Sequence, residues 1–177
     1  MRLRNATVAD LRRVIAIERA SFGPDSYSLT TFLAHAFRDR KGFIVAQDDS
    51  GEVVGYVLVR LNLGWFGKRR GGITSIAVAA PHRRRGIGRA LMREALRYLA
   101  EHRVEQADLE VDVDNRAAQS LYEAVGFRRA ELLPHYYGYG RHGLRMIIDI
   151  PAEGGAAAGR GGRHALGPGG IGQAPSG

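Results

Sequence analysis

Cysteine is absent from all 177 residues of this chain. Its absence excludes disulfide bonds, thiolate zinc sites and an acyl-cysteine intermediate, so any acyl transfer has to be direct or use a hydroxyl. No apolar run approaches the roughly 20 residues of a membrane-spanning helix, and the N-terminal stretch MRLRNATVADLRR lacks the apolar core of a secretory signal. The six histidines show no metal-ligand spacing. We therefore expect a cytoplasmic protein that contacts no membrane and holds no metal.

Bulky apolar residues are scarce at 151–177, a stretch rich in glycine and alanine. Such a segment cannot offset its ordering entropy by burial, so we expect a disordered tail. The whole chain is 45% hydrophobic, which is enough for one sizeable core, and we place a single domain at residues 1–150. The net charge of +8 attracts nucleic acid, coenzyme A and acidic protein surfaces alike, so it does not select a partner.

The stretch at 73–99, ITSIAVAAPHRRRGIGRALMREALRYL, has the order strand, turn, helix. A buried helix face is predicted by apolar residues at helical spacing, namely Ile87, Leu91, Ala95 and Leu99. Gly86 and Gly88 allow the backbone of the turn to approach a ligand, and their amides coincide with the unpaired donors of a helix N-terminus. Fixed positive charge that suits a pyrophosphate comes from Arg83, Arg84, Arg85 and Arg89. The turn is predicted to bind an anion, and a basic solvated turn before an ordinary helix is the alternative.

Elimination narrows the choice of anion. A Walker-type loop requires Gly-Lys-Ser/Thr, whereas Gly88 is followed by arginine and alanine, which disfavours ATP. A dinucleotide fingerprint requires a small third residue where this chain has Leu91, which disfavours NAD. What remains is Arg-x-x-Gly-x-Gly at 83–88, after a strand that ends Ile76-Ala77-Val78. This pattern resembles the acyl-CoA pyrophosphate loop, Q/R-x-x-G-x-G/A, of the GNAT superfamily of N-acetyltransferases.

A second motif of the same superfamily lies downstream. The run NRAAQSLYEAVGF fits Asn-x-x-Ala-x-x-Leu-Tyr-x-x-x-Gly-Phe through Asn115, Ala118, Leu121, Tyr122, Gly126 and Phe127. Its asparagine and glycine are also the residues that begin and end a helix, here predicted at 116–125. Two independent motifs in the family's order support the resemblance, which extends over residues 3–150.

Between the two motifs, the run ADLEVDVDN alternates strictly and predicts a strand. One face carries Leu109, Val111 and Val113, and the other carries Glu110, Asp112 and Asp114. Because a single helix connects the strand at 73–78 to this one, the two are expected to be parallel neighbours. Three carboxylates on one face suggest a metal site, but nothing completes one, so Asp112 and Asp114 are predicted to be solvated.

The first part of the chain carries helix and hairpin signals. Thr7 and Asp10 predict a capping box before a first helix whose buried face is Leu11, Val14, Ile15 and Phe22. A second helix from Ser28 has an apolar stripe expected in the core, namely Phe32, Leu33, Ala36 and Phe37. Strands at 43–47 and 52–61 flank a turn and should pair antiparallel. Trp65 and Phe66 lie in a loop at 62–72, where they line a substrate cleft or fold back on the core.

The resemblance is strongest to the N-terminal α-amino acetyltransferases, namely the bacterial ribosomal-protein-alanine enzymes and their archaeal relatives. This resemblance also rests on Leu109-Glu110-Val111 and His135-Tyr136-Tyr137. It implies the GNAT α/β fold, with a mixed, mostly antiparallel central sheet, helices on both faces and a splayed parallel strand pair at the acyl-CoA cleft. It also implies acetyl-CoA as acyl donor and a protein or peptide N-terminus as acceptor, with a ribosomal protein as one candidate.

The resemblance also implies site residues. The donor is expected to contact Ile76, Ala77, Val78, Arg83, Arg84, Arg85, Gly86, Ile87, Gly88, Arg89, Asn115 and Tyr122, and the acceptor is expected to contact Tyr27, Tyr136 and Tyr137. An α-amine with a pKa of roughly 7.7 to 8.0 needs less help to lose its proton than a lysine at about 10.4. Glu110 is a suitable base at the family's position, and the Tyr122 phenol can protonate the leaving thiolate. Without the resemblance, a solvated glutamate and a packed tyrosine are the simpler interpretations.

The loop at 138–143 departs from the family. Relatives follow Tyr-Tyr with an acidic Asp-Gly-Glu-Asp-like segment, whereas this chain reads Gly-Tyr-Gly-Arg-His-Gly before a predicted closing strand at 144–150. If the loop flanks the acceptor groove, charge complementarity predicts an acceptor that is acidic near its amino end.

Two alternatives stay open. Within the enzyme class, the acceptor amine is a lysine side chain or a small molecule. Outside it, the chain is a basic nucleic-acid-binding module, although it has no recognised docking motif and no RNP-type aromatic pair. For the acetyltransferase, contact with nucleic acid is expected to be at most nonspecific.

Overall fold

The computed structural model describes residues 1–38, 40–62 and 69–151. Trp65, Phe66 and the expected tail after Pro151 lie outside these residues. The strands are β1 (Arg2–Asn5), β2 (Phe43–Gln47), β3 (Val53–Asn62), β4 (Arg70–Val78), β5 (Gln106–Asp112), β6 (Arg128–Leu133) and β7 (Gly143–Asp149). The α-helices are α1 (Leu11–Phe22), α2 (Leu29–Arg38), α3 (Ile87–Glu101) and α4 (Arg116–Glu123). Within the described residues, no helix combines the length and the apolarity needed to cross a membrane.

All seven strands form one sheet in the order β1-β2-β3-β4-β5-β7-β6. Neighbouring strands run antiparallel, except that β4 and β5 are parallel and connected through α3. The mixed, mostly antiparallel sheet is therefore confirmed, as are the predicted hairpin of β2 with β3 and the parallel pair.

Helices cover both faces of the sheet, as expected. Alternate residues of β2 show this, because Phe43 and Val45 belong to a core cluster with α1, whereas Ile44 and Ala46 belong to a cluster with α3. The buried face predicted for α3 is confirmed, with Leu91, Ala95 and Leu99 fully buried and Ile87 nearly so. Each face of the sheet thus has its own apolar core.

The parallel pair splays. Arg70, Gly71 and Gly72 of β4 pair with residues 106–108 of β5, and the two strands form no further ladder pairs. Beyond that point β4 stays paired with β3 as far as Val78, and β5 stays paired with β7 as far as Asp112. The sheet is therefore continuous at one end and open between β4 and β5 at the other.

Local signals predicted most element ends well. The backbone amide and hydroxyl of Thr7 bond Asp10 at 2.7 and 2.8 Å, and α1 follows. Leu11 and Val14 are buried, whereas Ile15 and Phe22 are only half-buried and the unpredicted Ile17 takes a core position. The fourth helix ends at Glu123, earlier than predicted.

Two predictions of burial or extent need correction. Phe37 is 76% exposed, because it lies five residues after the buried Phe32, which is about 140° around an α-helix. The side chain of Ala36 lies outside the described part. Strand β5 ends at Asp112, so Val113 and Asp114 do not continue its alternation. Strands β1 and β6 were not predicted.

The two phenylalanines of α2 offer a matched test of the core. Phe32 is 0% exposed and packs 6.0 Å from the Phe43 ring and 5.6 Å from the Tyr56 ring. Phe32→Ala should lower the free energy of unfolding by about 3–5 kcal/mol, because it leaves a cavity. Phe37→Ala should change it by no more than about 0.5 kcal/mol. Denaturant titration measures both, and equal losses would contradict this assignment of the core.

Candidate active site

A cavity of about 460 Å³ lies at the open end of the β4–β5 pair. It is lined by the end of α1 and the turn after it, by β4, β5 and the start of α4, and by the β6–β7 loop. The lining residues are Glu18, Ser21, Phe22, Asp25, Tyr27, Ile73, Thr74, Ser75, Ile76, Leu109, Glu110, Val111, Asp112, Asp114, Asn115, Tyr122, Tyr136, Tyr137 and Arg141. The fold therefore brings together the predicted catalytic pair, the predicted acceptor tyrosines, Ile76 and Asn115.

The wall formed by β4 offers unpaired polar groups. Past Gly72 its edge toward β5 makes no ladder hydrogen bonds. The Thr74 hydroxyl on this wall is buried and has no hydrogen-bond partner in the described chain. Of the three predicted donor contacts on this strand, Ile76 lines the cavity. The Ala77 side chain is buried in the core with α1, and the Val78 side chain packs against the core with α3. Such a wall suits an arm that carries amide groups, because each unpaired backbone group seeks a partner.

The arginine-rich turn lies outside the cavity lining, at the N-terminus of α3. Gly86 adopts φ +79°, and the first helical bond runs from the Ala90 amide to its carbonyl at 3.0 Å. The backbone amides of residues 84–89 donate to no acceptor in the described residues. Ile87 is buried, so only its backbone is available, and a Cβ at Gly88 would lie 3.1 Å from Leu121 of α4. Free amides at a helix N-terminus form a suitable cradle for a phosphate.

The arginines of this turn differ in their surroundings. Arg83 donates from Nε to the Val78 carbonyl at 2.9 Å and from Nη2 to the Ser21 hydroxyl at 3.3 Å. It therefore ties the turn to β4 and α1. The side chains of Arg84, Arg85 and Arg89 are exposed and form no ion pair within the described chain. These three guanidinium groups are available to an anion.

Glu110 projects from β5 into the cavity between two guanidinium groups. Its Oε1 lies 3.4 Å from Arg145 Nε and 3.9 Å from Arg60 Nη2. Oε2 has no hydrogen-bond partner among the described residues. The side chain is 16% exposed. The carboxylate is thus oriented from one side and keeps one oxygen free to accept a proton.

Tyr122 lies on α4 at the edge of the cavity. Burial raises the pKa of its phenol to about 12. Its ring packs 6.2 Å from that of Phe127, and its hydroxyl makes no hydrogen bond to the described chain. The phenol is therefore protonated at neutral pH and has a proton to give.

Asn115 has a structural function beside any binding role. Its Oδ1 accepts a hydrogen bond from the Ala118 amide at 3.1 Å and caps α4. Its side-chain amide nitrogen has no hydrogen-bond partner in the described chain, and the residue lines the cavity. The cap fixes the start of the helix that carries Tyr122.

The three predicted acceptor tyrosines line the outer part of the cavity. Tyr136 and Tyr137 meet edge to face, with ring centres 4.9 Å apart. Tyr27 is 43% and Tyr136 50% exposed. Partial burial raises the pKa of all three phenols, so they are neutral hydrogen-bonding groups at neutral pH.

Glu18 is a cavity residue that was not predicted. It is 0% exposed and accepts hydrogen bonds from the Tyr27 amide at 2.8 Å, from the Ser75 hydroxyl at 3.1 Å and from the Tyr56 hydroxyl. Burial, and then the nearby carboxylate, raise the pKa of Tyr56. A signal was present in the sequence, since a carboxylate at position 18 falls on the stripe of Leu11 and Val14.

Arg141 was grouped with a loop that should attract an acidic acceptor, but its charge is already compensated within the chain. Its Nη2 lies 2.8 Å from Asp25 Oδ2 and 3.1 Å from Asp112 Oδ2. The hydrogen bond from Arg141 lowers the pKa of Asp25. Asp112 is thus paired with Arg141, so the prediction of a simply solvated carboxylate at this position was wrong. Arg141 is therefore less available to attract an acidic acceptor.

Within the described residues, no group of three or more His, Cys, Asp or Glu side chains is arranged to hold a metal ion.

Comparison with known proteins gives one consistent result. The model of the Acetyltransferase (GNAT) family matches residues 9–127. The N-alpha-acetyltransferase of Sulfurisphaera tokodaii is 35% identical over 157 residues, which cover 84% of this chain and 93% of the relative. Ard1 from Thermoplasma volcanium superposes with a TM-score of 0.75 at 26% identity, covering 85% of this chain and 97% of that structure. Naa50 of Arabidopsis thaliana, solved with the bisubstrate analogue CoA-Ac-MVNAL, gives a TM-score of 0.74 at 22% identity, covering 84% and 97%.

The family match spans more than half of the chain and includes the glycine turn at 83–88, the second motif at 115–127 and most of the cavity wall. The chain therefore belongs to the GNAT family of acetyltransferases and is an acyltransferase.

Proposed function

We propose that this acetyltransferase transfers an acetyl group from acetyl-CoA directly to the α-amino group of a protein N-terminus. The observation that carries the proposal is that Glu110 and Tyr122 line the same cavity, at the open end of β4 and β5. The relatives support it, because the Sulfurisphaera tokodaii protein is named an N-alpha-acetyltransferase and the Naa50 complex joins CoA to a peptide. A ribosomal protein is one candidate acceptor.

The donor side uses two features. The pyrophosphate is assigned to the free amides at 84–89 and to the exposed Arg84, Arg85 and Arg89, and Arg83 holds that turn against β4. The arm that bears the thioester is assigned to the slot between the backbones of β4 and β5, along residues 76–78, with the Asn115 amide on its other side. The donor supplies an activated acetyl group, and the protein supplies its orientation.

The proton balance assigns the catalytic pair. As the amine nitrogen bonds to the carbonyl carbon and the carbon–sulfur bond breaks, Glu110 accepts the proton that the amine loses. The Tyr122 hydroxyl gives its proton to the departing sulfur. Glu110 then releases the proton that it accepted to solvent, and the tyrosine regains one from solvent, so both side chains return to their starting states. Tyr27, Tyr136 and Tyr137 are assigned to the acceptor peptide, which enters from the outer part of the cavity.

A peptide panel tests the acceptor. Thiol release from acetyl-CoA is measured with peptides that begin with Ser, Ala, Met or Glu, and with copies blocked at the α-amine. Turnover is expected on free peptides only. Turnover on blocked peptides that contain lysine would show that the enzyme acetylates lysine side chains. Activity on small amines alone would show that its acceptor is a small molecule.

Removing the Tyr122 hydroxyl should separate chemistry from binding. Tyr122→Phe is expected to lower kcat by about a hundredfold, the usual scale of general acid catalysis, and to leave the affinity for acetyl-CoA near the wild-type value. Tyr139→Phe is the control, because that ring is 98% exposed and outside the cavity lining. Steady-state kinetics and calorimetric titration measure the two quantities. If Tyr122→Phe kept the wild-type turnover, Tyr122 would not be the acid that protonates the departing sulfur.

Removing the Glu110 carboxylate should make the reaction depend on solvent as base. Glu110→Gln is expected to lower kcat by about a hundredfold at pH 7. The deficit should shrink above roughly pH 8, where the α-amine is already deprotonated. Since burial holds the pKa of Tyr122 at about 12, the acid should impose no upper limit on the rate over this range.

Glu131→Gln is the matched control for that experiment. Glu131 also binds Arg145, at 2.6 Å, but lies on the edge strand β6 outside the cavity lining. Its loss should leave the pH profile of the rate unchanged. An equal effect in both variants would show that the carboxylates serve only to hold Arg145.

A further inference from the structure

The charges around the cavity are unequal. The described lining contains five carboxylates, at Glu18, Asp25, Glu110, Asp112 and Asp114, and a single guanidinium, at Arg141. Two further guanidinium groups, of Arg145 and Arg60, approach Glu110 from outside the lining, so the carboxylates remain in excess. An acceptor with a free α-ammonium group is attracted by such an excess of negative charge. The reaction can proceed only when the ammonium group binds the carboxylate that holds it next to the thioester. The other carboxylates compete for the same ammonium group and hold it where it cannot react.

Asp112 is the nearest competitor of Glu110. Both residues lie in β5, two positions apart, so their side chains point to the same face with an offset of about 6.6 Å along the strand. An ammonium group held by Asp112 is displaced from Glu110 by that distance. A displacement of this size abolishes productive geometry, since reacting atoms must approach within about 3–3.5 Å.

Arg141 occupies the competing position. Its Nη2 lies between Asp25 Oδ2, at 2.8 Å, and Asp112 Oδ2, at 3.1 Å. Its Nη1 donates to the Tyr137 carbonyl at 3.2 Å, and its guanidinium carbon lies 5.6 Å from the centre of the Tyr137 ring. The other oxygen of Asp112 accepts the Asp114 amide at 2.9 Å. The arginine is thus fixed from three sides and uses the oxygens that an ammonium group would seek.

We propose that Arg141 is a specificity-determining residue that acts as an internal cation, occupying the Asp25–Asp112 pair so that the acceptor's ammonium group is directed to Glu110. The inference rests on the proposed function. It concerns how the amine is placed, whereas the identity of the acceptor is decided by the peptide panel.

Arg141→Gln tests the proposal through a kinetic pattern that loss of folding does not produce. Uncovering a competing position causes nonproductive binding, which lowers kcat and KM by the same factor and leaves kcat/KM unchanged. We expect both constants for the peptide to fall about threefold to tenfold, which corresponds to about 0.7–1.4 kcal/mol of exposed ion pairing. High salt should reduce the effect, because Arg141 is exposed.

Two further variants make the test specific. Arg141→Lys keeps a cation and should retain most of the wild-type kcat. Arg141→Gln combined with Asp112→Asn removes the competing carboxylate and should raise kcat above that of Arg141→Gln alone. Arg128→Gln is the surface control, because it breaks only an exposed contact to Asp149 at the other end of the sheet.

A binding probe gives a readout that does not depend on turnover. A peptide whose N-terminal nitrogen is trimethylated keeps the positive charge and cannot be acetylated. It should bind Arg141→Gln about threefold to tenfold more tightly than it binds the wild type, whereas the N-acetylated copy should not distinguish the two proteins. If kcat/KM falls while the probe binds no more tightly, Arg141 only holds the loop and the proposal is wrong. If the wild type acetylates no peptide, the proposed function fails instead, and the probe titration still decides the role of Arg141.

Discussion

The hydrogen-bond ladder between β4 and β5 ends after three residue pairs, and the cavity depends on that end. Backbone polar groups left between two strands normally pair with each other or with water. Here each strand is held along its other edge, β4 by β3 and β5 by β7, so the sheet does not need the missing pairs. At the closed end a Cβ at Gly72 would lie 2.6 Å from the Asp108 carbonyl oxygen, so the strands are in close contact there. Close approach at one end and separation at the other leave a slot whose polar walls a ligand can satisfy.

The part of the cavity assigned to the acceptor depends on the buried carboxylate of Glu18. Glu18 is not in contact with any cation of the described chain, and a buried charge of this kind is tolerated only when hydrogen bonds replace its hydration. Three donors from three different segments do so, among them the Tyr27 amide and the Ser75 hydroxyl. Breaking one of these bonds would leave a buried charge less well solvated. Glu18 therefore connects the turn after α1 to β3 and β4.

The parts of the site that the sequence predicted are local in the chain. The glycine turn before α3 and the Asn115 cap each use partners within a few residues, so their spacing is visible as a motif. The pairs that shape the acceptor side are not local, since Tyr56 is 38 residues from Glu18, and Arg141 is 116 residues from Asp25. Edge strands were missed for another reason. Strand β6 is exposed along nearly its whole length, so no apolar alternation identifies it.

The carboxylates of the cavity differ in how closely a guanidinium group approaches them. Asp25 and Asp112 are in direct contact with Arg141, at 2.8 and 3.1 Å, whereas Glu110 lies 3.4 and 3.9 Å from its arginines. A carboxylate in close contact with a guanidinium has lost lone pairs that a base requires. A more distant pair of cations orients the group and leaves one oxygen uncommitted. The carboxylate proposed as base, Glu110, and a carboxylate held in an ion pair, Asp112, therefore lie two residues apart on one strand and differ in how closely arginines approach them.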